Sequence, residues 1–163
     1  MGLSYFSHLP LLIAATAITT GPVLELGAGL GSTLALHGLC AVQGRNIVTL
    51  ESDEGWFKLF TKYGRPWHQF RVVDSFNNLP EYNQTWGLAF VDHGIAEQRS
   101  VSLMALKDVP IIVLHDTCHP RLYGYEETIP EFKYQWNYRI VLPQTTVVSN
   151  SINVENLFAR MML

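Results

Sequence analysis

Charge is scarce in this chain of 163 residues: Asp, Glu, Lys and Arg together make up 15%, against about a quarter in an ordinary soluble domain. The net charge is −3 and no run of Lys or Arg occurs, which argues against nucleic acid as a partner. So little charge on so short a chain leaves part of the surface apolar and points to a homo-oligomer. Cysteine is scarcer still. Cys40 and Cys118 form neither a metal-ligand spacing nor a disulfide framework, which suits reduced thiols in a cytoplasmic protein. No apolar run is long enough to cross a bilayer. Residues 9–18 alone imitate a signal peptide, but they lack a basic flank and a strand begins four residues later. They are expected to form a helix packed on a soluble protein with no membrane association. Repeats, linkers and low-complexity segments are also lacking, so the length and a hydrophobic content of 48% predict a single domain over residues 1–163.

What is present is alternation. A first helix capped by Ser4 or Ser7 runs to Thr19 and is broken by Thr20-Gly21-Pro22. Strands are expected at Val23–Leu26, 47–50, 68–73, 86–91 and 110–114, with helices at 32–42, 53–63 and 96–106 between them. Residues 77–85 read as polar connection, and 118–132 as an irregular or briefly helical one. Two further strands, 136–142 and Thr145–Ser149, are joined by Pro143-Gln144 as an antiparallel pair, and residues 154–163 form a terminal helix or fray. Strands alternating with helices predict an α/β fold, a doubly wound, mostly parallel, seven-stranded sheet closed by a C-terminal antiparallel hairpin.

Ligands of such sheets bind beyond the carboxyl ends of the strands. There the first strand runs into Gly27, Gly29 and Gly31, and a helix follows. Glycine permits positive φ and a close approach of ligand to backbone, and the helix start offers free N–H groups. The other parallel strands end in Glu51, Asp74, Asp92 and Asp116. Glu51 stands about twenty residues beyond the glycines, where a carboxylate reaches ribose hydroxyls. The same acid would suit a nicotinamide dinucleotide. The glycine spacing is Gly-x-Gly-x-Gly, however, and not the Gly-x-Gly-x-x-Gly of that fingerprint, and Glu25 lies two residues before the first glycine.

Glu25-Leu26-Gly27-Ala28-Gly29-Leu30-Gly31 resembles the first motif of the class I S-adenosylmethionine-dependent methyltransferases, and the order of elements from about residue 20 to 149 is similar to that family's Rossmann-like methyltransferase fold. The resemblance implies S-adenosylmethionine as cofactor. The glycines would pass under its methionine part, Glu25 would anchor its amino group through water, and Glu51 would hold the ribose. Asp74 would face the adenine amino group, with Phe76 a ring neighbour and Asp92 at the cofactor's edge. Trp56 is read as core. Since the sulfonium is already activated, the protein must chiefly align the attack and deprotonate the acceptor.

Acceptor chemistry is expected at Asp92-His93-Gly94 and His115-Asp116-Thr117. Two carboxylates there suit Mg²⁺ or another divalent cation, which would lower the pKa of an acceptor hydroxyl. This resembles the cation-dependent O-methyltransferases, with Asp92, Asp116 and Thr117 as the implied ligands. Thr117 stands where that family has Asn, and no lysine follows Asp92, so a base would have to be His93, His115 or His119. In a metal-free pocket, His115 and Asp116 would bind the acceptor directly. The expected function is methyl transfer to a small hydroxylated acceptor. The alternatives are a non-catalytic cofactor-binding or assembly protein of the same fold, and an NAD-dependent oxidoreductase, against which the glycine spacing and the closing hairpin tell.

Overall fold

In the computed structural model, which describes residues 6–161, the expected alternation is realised as one seven-stranded sheet. The elements in order are α1 (Leu9–Ile18), β1 (Val23–Leu26), α2 (Ser32–Gln43), β2 (Ile47–Glu51), α3 (Glu54–Phe60), β3 (His68–Val72), β4 (Leu88–Val91), α4 (Arg99–Ala105), β5 (Ile112–Leu114), α5 (Tyr125–Thr128), β6 (Tyr134–Tyr138), β7 (Thr145–Ser149) and α6 (Val154–Met161). The strand order is β3-β2-β1-β4-β5-β7-β6. The first five strands run parallel, and β7 pairs antiparallel with both β5 and β6. The chain reverses its direction of winding between β3 and β4, so the switch point falls between β1 and β4, where the glycine turn leaves the sheet.

The strand period of two sorts the core onto the two faces. Leu24, Leu26, Ala89, Val91, Ile112 and Leu114 join one cluster with Leu103 of α4 and Tyr125 of α5. Val23, Leu88, Phe90 and Val113 join the other with Leu11 and Leu12 of α1, Leu36 of α2 and Phe158 of α6. Glu25 shares the parity of Val23 and therefore points into the α2 layer.

Several boundaries move. Ser4 lies outside the described residues, and Ser7 does not cap α1; His8 holds that position without a side-chain cap bond, and the Ser7 hydroxyl contacts His115 instead. The far end of α1 is capped from a distance. Arg45, in the α2–β2 turn, donates to the carbonyls of Thr16 (3.0 Å), Thr19 (3.2 Å) and Gly21 (2.6 Å), a cation on a helix C-terminus. The helix expected at 53–63 is α3 followed by a 3₁₀ turn at Thr61–Tyr63, and that expected at 96–106 is a 3₁₀ turn at Ala96–Gln98 followed by α4. The strand expected at 136–142 is displaced to Tyr134–Tyr138. Its register is set by β7, whose first residue Thr145 pairs with Tyr138, so residues 139–144 are left as the connection. The terminal helix is formed as far as Met161, and residues 162–163 lie outside the described part. Among the described residues no helix is long and apolar enough to cross a membrane.

Candidate functional site

The turn after β1 is tied down before any ligand is considered. Gly27 has φ +96°, and a Cβ there would lie 2.6 Å from the backbone of Asp92 and His93, so only glycine lets β1 and β4 end side by side. The Gly27 N–H donates to the Leu50 carbonyl (2.8 Å), and the Asp92 N–H to that of Leu26 (2.8 Å). The loop's two carboxylates then divide the work. Glu51 Oε2 accepts from the Ala28 N–H (2.8 Å), while its Oε1 accepts from the N–H groups of Ser52 (2.7 Å) and Asp53 (2.9 Å). Glu25 Oε1 accepts from the Thr33 hydroxyl (3.0 Å), which itself accepts from the Gly29 N–H (2.8 Å), and Glu25 Oε2 accepts from the Thr49 hydroxyl (2.7 Å). Complete burial pushes the Glu25 carboxyl up to about 7, against the opposing pull of those hydroxyls.

Above the loop opens a cleft of about 710 Å³. One wall is Ala28, Gly29 and Leu30 from the loop, with Glu51, Asp53 and Trp56 beyond β2. Asp53 caps α3 by accepting from the Trp56 N–H (2.6 Å), and the Trp56 indole N–H donates to the Ala28 carbonyl. Trp56, read from sequence as core, is thus on the cleft wall, because the cap turns the first helical residues back over the loop. The opposite wall is His8, Asp92, Gly94, His115, Asp116 and Pro143.

That opposite wall is organised by a residue the sequence reading passed over. Arg99, 4% exposed at the start of α4, donates to Asp92 Oδ1 (3.0 Å), Asp116 Oδ2 (3.2 Å) and the His93 carbonyl (2.7 Å), and its guanidinium lies 4.2 Å from the centre of the Tyr123 ring. His115 Nδ1 lies 3.1 Å from Asp92 Oδ2 and 3.6 Å from Asp116 Oδ1, and its Nε2 is 2.9 Å from Ser7 Oγ. Burial alone would lower the His115 pKa, but the hydrogen bond and charge of Asp92 outweigh it and raise it. Burial would likewise raise Asp92, yet His115 and Arg99 hold it below the ordinary carboxylate range. Asp116 sits in left-handed backbone (φ +59°), a conformation that costs a non-glycine residue about 1 kcal/mol and here turns the carboxylate toward Arg99. His8 is 3% exposed, neither of its ring nitrogens has a hydrogen-bond partner among the described residues, and burial lowers its pKa to about 4.

Other expected site residues lie elsewhere. His93 is fully buried, stacked on Phe76 at 3.8 Å with its Nε2 3.0 Å from Ser102 Oγ, and burial lowers its pKa to about 3. Neither His93 nor Phe76 reaches the cleft, since the pair fills the layer under α4. Glu25 lies beneath the loop and off the cleft wall, because a residue within a strand points to a face of the sheet and not beyond its end. Asp74 is exposed and off the wall. The Thr117 hydroxyl accepts from Thr146 (2.8 Å), and His119 lines a separate surface hollow with Arg121. The implied ligand set Asp92, Asp116 and Thr117 therefore does not assemble. A guanidinium already takes an oxygen of each carboxylate, and Thr117 faces another strand. His8, Asp92 and His115 do bring ligand-type atoms within 4.8 Å of one another, but Asp92 is engaged by Arg99 and His115.

No protein-family model and no curated protein matches the sequence. Solved structures do match in fold. The O-methyltransferase TomG from Streptomyces achromogenes, in complex with S-adenosylmethionine, superposes with a TM-score of 0.61 at 15% identity over 90% of this chain and 79% of that one. The partner of the Trm112 methyltransferase activator in the Haloferax volcanii complex gives 0.60 at 13% identity over 92% of both chains. A mutant of MtNAS gives 0.56 at 15% identity over 91% of this chain, which spans 61% of the length of that protein. The sheet order, the closing antiparallel pair and these likenesses define a Rossmann-like methyltransferase fold.

Proposed function

We propose that this chain is an S-adenosylmethionine-dependent methyltransferase acting on a hydroxyl oxygen of a small acceptor. The observation that carries the reading is the shared cleft: a tied-down glycine loop with Glu51 forms one wall, and two half-buried carboxylates with a buried histidine and arginine face it. The cofactor's methionine part would lie over Ala28 and Gly29. Its ribose hydroxyls would donate to Glu51, and its adenine would lie toward Trp56. The acceptor would enter at Asp116 and His115. His115, oriented by Asp92, would take the acceptor's proton as its oxygen attacks the methyl carbon in line with the departing sulfur.

Arg99 supplies the fixed positive charge between Asp92 and Asp116 that a divalent cation would otherwise bring, so this reading needs no metal. The test is mass-spectrometric detection of methyl transfer from S-adenosylmethionine across a panel of phenols, catechols and sugars. A methylated product that disappears in His115→Gln supports the reading, whereas cofactor binding with no product across the panel favours the non-catalytic alternative. The Haloferax volcanii complex, in which a protein of this fold sits with an activator, gives that alternative its weight. Self-association is proposed at the β6–β7 connection, where Ile140 and Leu142 are 74% and 67% exposed, and sedimentation velocity tests it.

A further inference from the structure

Glu25 is the most deeply buried carboxylate of the chain's expected site, and it is not isolated from solvent. Behind it runs an unbroken line of hydrogen bonds. Thr49 Oγ1 lies 2.7 Å from Glu25 Oε2 and 2.9 Å from His68 Nε2, and His68 Nδ1 lies 2.9 Å from His37 Nδ1. Glu25, Thr49 and His68 are fully buried or nearly so, and His37, on α2, is half-buried.

The polarity of this line follows from its valences. Ionised Glu25 can only accept, so the single Thr49 hydrogen is donated to it and Thr49 accepts from His68 Nε2–H. His68 Nδ1 is then an acceptor and His37 Nδ1–H the donor. A proton taken up at His37 Nε2 reverses every bond. The Nδ1 hydrogen of His37 passes to His68 Nδ1, the Nε2 hydrogen of His68 to Thr49, and the hydroxyl hydrogen of Thr49 to Glu25 Oε2. Each intermediate group ends with as many hydrogens as it began with, and one proton has moved from solvent to the carboxylate under the loop. The groups facing this line are few. Thr33, Ser32 and Cys40 face Glu25 from α2 and Asp92 from the end of β4. Phe70 stacks on His68 at 4.0 Å, and Trp67, Tyr63 and Arg65 flank His37. Burial, and next the neighbouring His37, lowers the His68 pKa to about 3, so His68 conducts as a neutral ring changing tautomer.

We infer that Glu25 is a charge-sensing residue under the cofactor loop, loaded and unloaded through Thr49, His68 and His37, that distinguishes S-adenosylmethionine from S-adenosylhomocysteine by the sulfonium charge. The inference rests on the methyltransferase reading. Both cofactor forms carry an amino and a carboxylate group, and only the substrate form carries the sulfonium cation. A cation settling over the loop favours ionised Glu25, which passes its proton outward. When the methyl group leaves, the cation is gone and the proton returns, weakening the hold on neither form's common groups but removing the preference for the charged one.

The test is calorimetric titration of the intact chain with each cofactor form near pH 7, in buffers of different ionisation enthalpy. S-adenosylmethionine should release on the order of half a proton more than S-adenosylhomocysteine, and the difference should vanish in Glu25→Gln. In the unmodified chain, the affinity ratio should shift about fivefold toward S-adenosylmethionine between about pH 6 and pH 8, which keeps the test decisive if Glu25→Gln does not fold. In His68→Phe, release followed with an indicator dye should slow at least about tenfold with affinity within about threefold. Equal proton counts for the two forms, or release from His68→Phe at the unmodified rate, would overturn the inference. Nitrogen-15 NMR of the free protein tests the relay without any cofactor, by a His68 tautomer with the hydrogen on Nε2 above pH 7. A hydrogen on Nδ1 there contradicts it. Failure of both forms to bind would instead remove the methyltransferase reading.

Discussion

The two walls of the cleft are built in opposite ways. On the glycine-loop side, everything that shapes the wall lies within one stretch of chain: the glycine turn, the start of α2 and the acid closing β2 are bound to one another by backbone N–H groups. The opposite side is assembled from three distant segments, with His8 ahead of α1, Asp92 and Arg99 between β4 and α4, and His115-Asp116 after β5. The first wall is made rigid by local geometry. The second is held by charge, with one buried guanidinium shared between two half-buried carboxylates. The difference teaches that a wall built from backbone N–H groups tolerates a sparsely charged sequence, whereas a wall built from side chains concentrates that sparse charge where it is partly desolvated.

The comparison can be broken most severely at Gly27. Gly27→Val puts side-chain atoms into the backbone of Asp92 and His93, 2.6 Å away at Cβ alone, in a left-handed conformation. It should destabilise the fold by more than about 4 kcal/mol and remove both walls at once, read as loss of a cooperative thermal transition. Next is Arg99→Met, which leaves the half-buried Asp92 and Asp116 without their cation. A loss of about 3 kcal/mol is expected in chemical denaturation, with methyl transfer abolished and cofactor affinity within about threefold in the folded fraction. Glu51→Ala is the mirror experiment. It removes the carboxylate proposed to hold the ribose and should weaken S-adenosylhomocysteine binding by about 10- to 100-fold, the scale of a charged hydrogen bond, while sparing the Asp92–Arg99–Asp116 cluster.

How much of this was legible follows from the same contrast. Gly27, Gly29, Gly31, Glu25 and Glu51 sit at fixed short spacings, and the β1 turn and β7 fell where the pattern placed them. Arg99 and His8 gave no such signal. An arginine at the head of a helix reads as a solvated charge, and one histidine before an apolar helix reads as a cap. Only the packing of α1 and α4 over the strand ends brings them to Asp92 and His115. One signal was available: Asp92 and Arg99 are seven residues apart, with a strand end before them and a helix start between, a spacing that lets a helix residue reach back over the strand it follows. Glu25, Phe76 and His93 lie off the cleft wall for a different reason. They lie next to the glycine turn and the strand ends in sequence, but side-chain parity and layer packing direct them into the core.

A smaller effect separates the histidines from the carboxylates. His8, His68 and His93 are buried neutral, with pKa values lowered to about 4, 3 and 3 by desolvation. The unfolded chain binds their protons below about pH 6.5 and the folded chain does not, so their contribution to stability is present above that pH and is lost as pH falls. Glu25, raised to about 7, works in the opposite sense through this window, and His115, also raised, does so only above it, so one group opposes the three rings. The midpoint of thermal unfolding should therefore drop between about pH 6.5 and pH 5, above the usual carboxylate range. A flat profile through that window would show that the three rings are not held neutral. The smallest expected effect is none at all. Because Arg99 already occupies the space between Asp92 and Asp116, chelation with EDTA should leave methyl transfer unchanged, and a loss restored by Mg²⁺ would show that the acceptor wall had been misread.

The central claim is that the glycine loop and Glu51 form a cofactor wall complete in itself. Calorimetric titration of the intact chain with S-adenosylhomocysteine tests it most directly. The account predicts one site per chain with a dissociation constant on the order of micromolar, about 8 kcal/mol of binding free energy. The absence of a binding isotherm at millimolar ligand would contradict it.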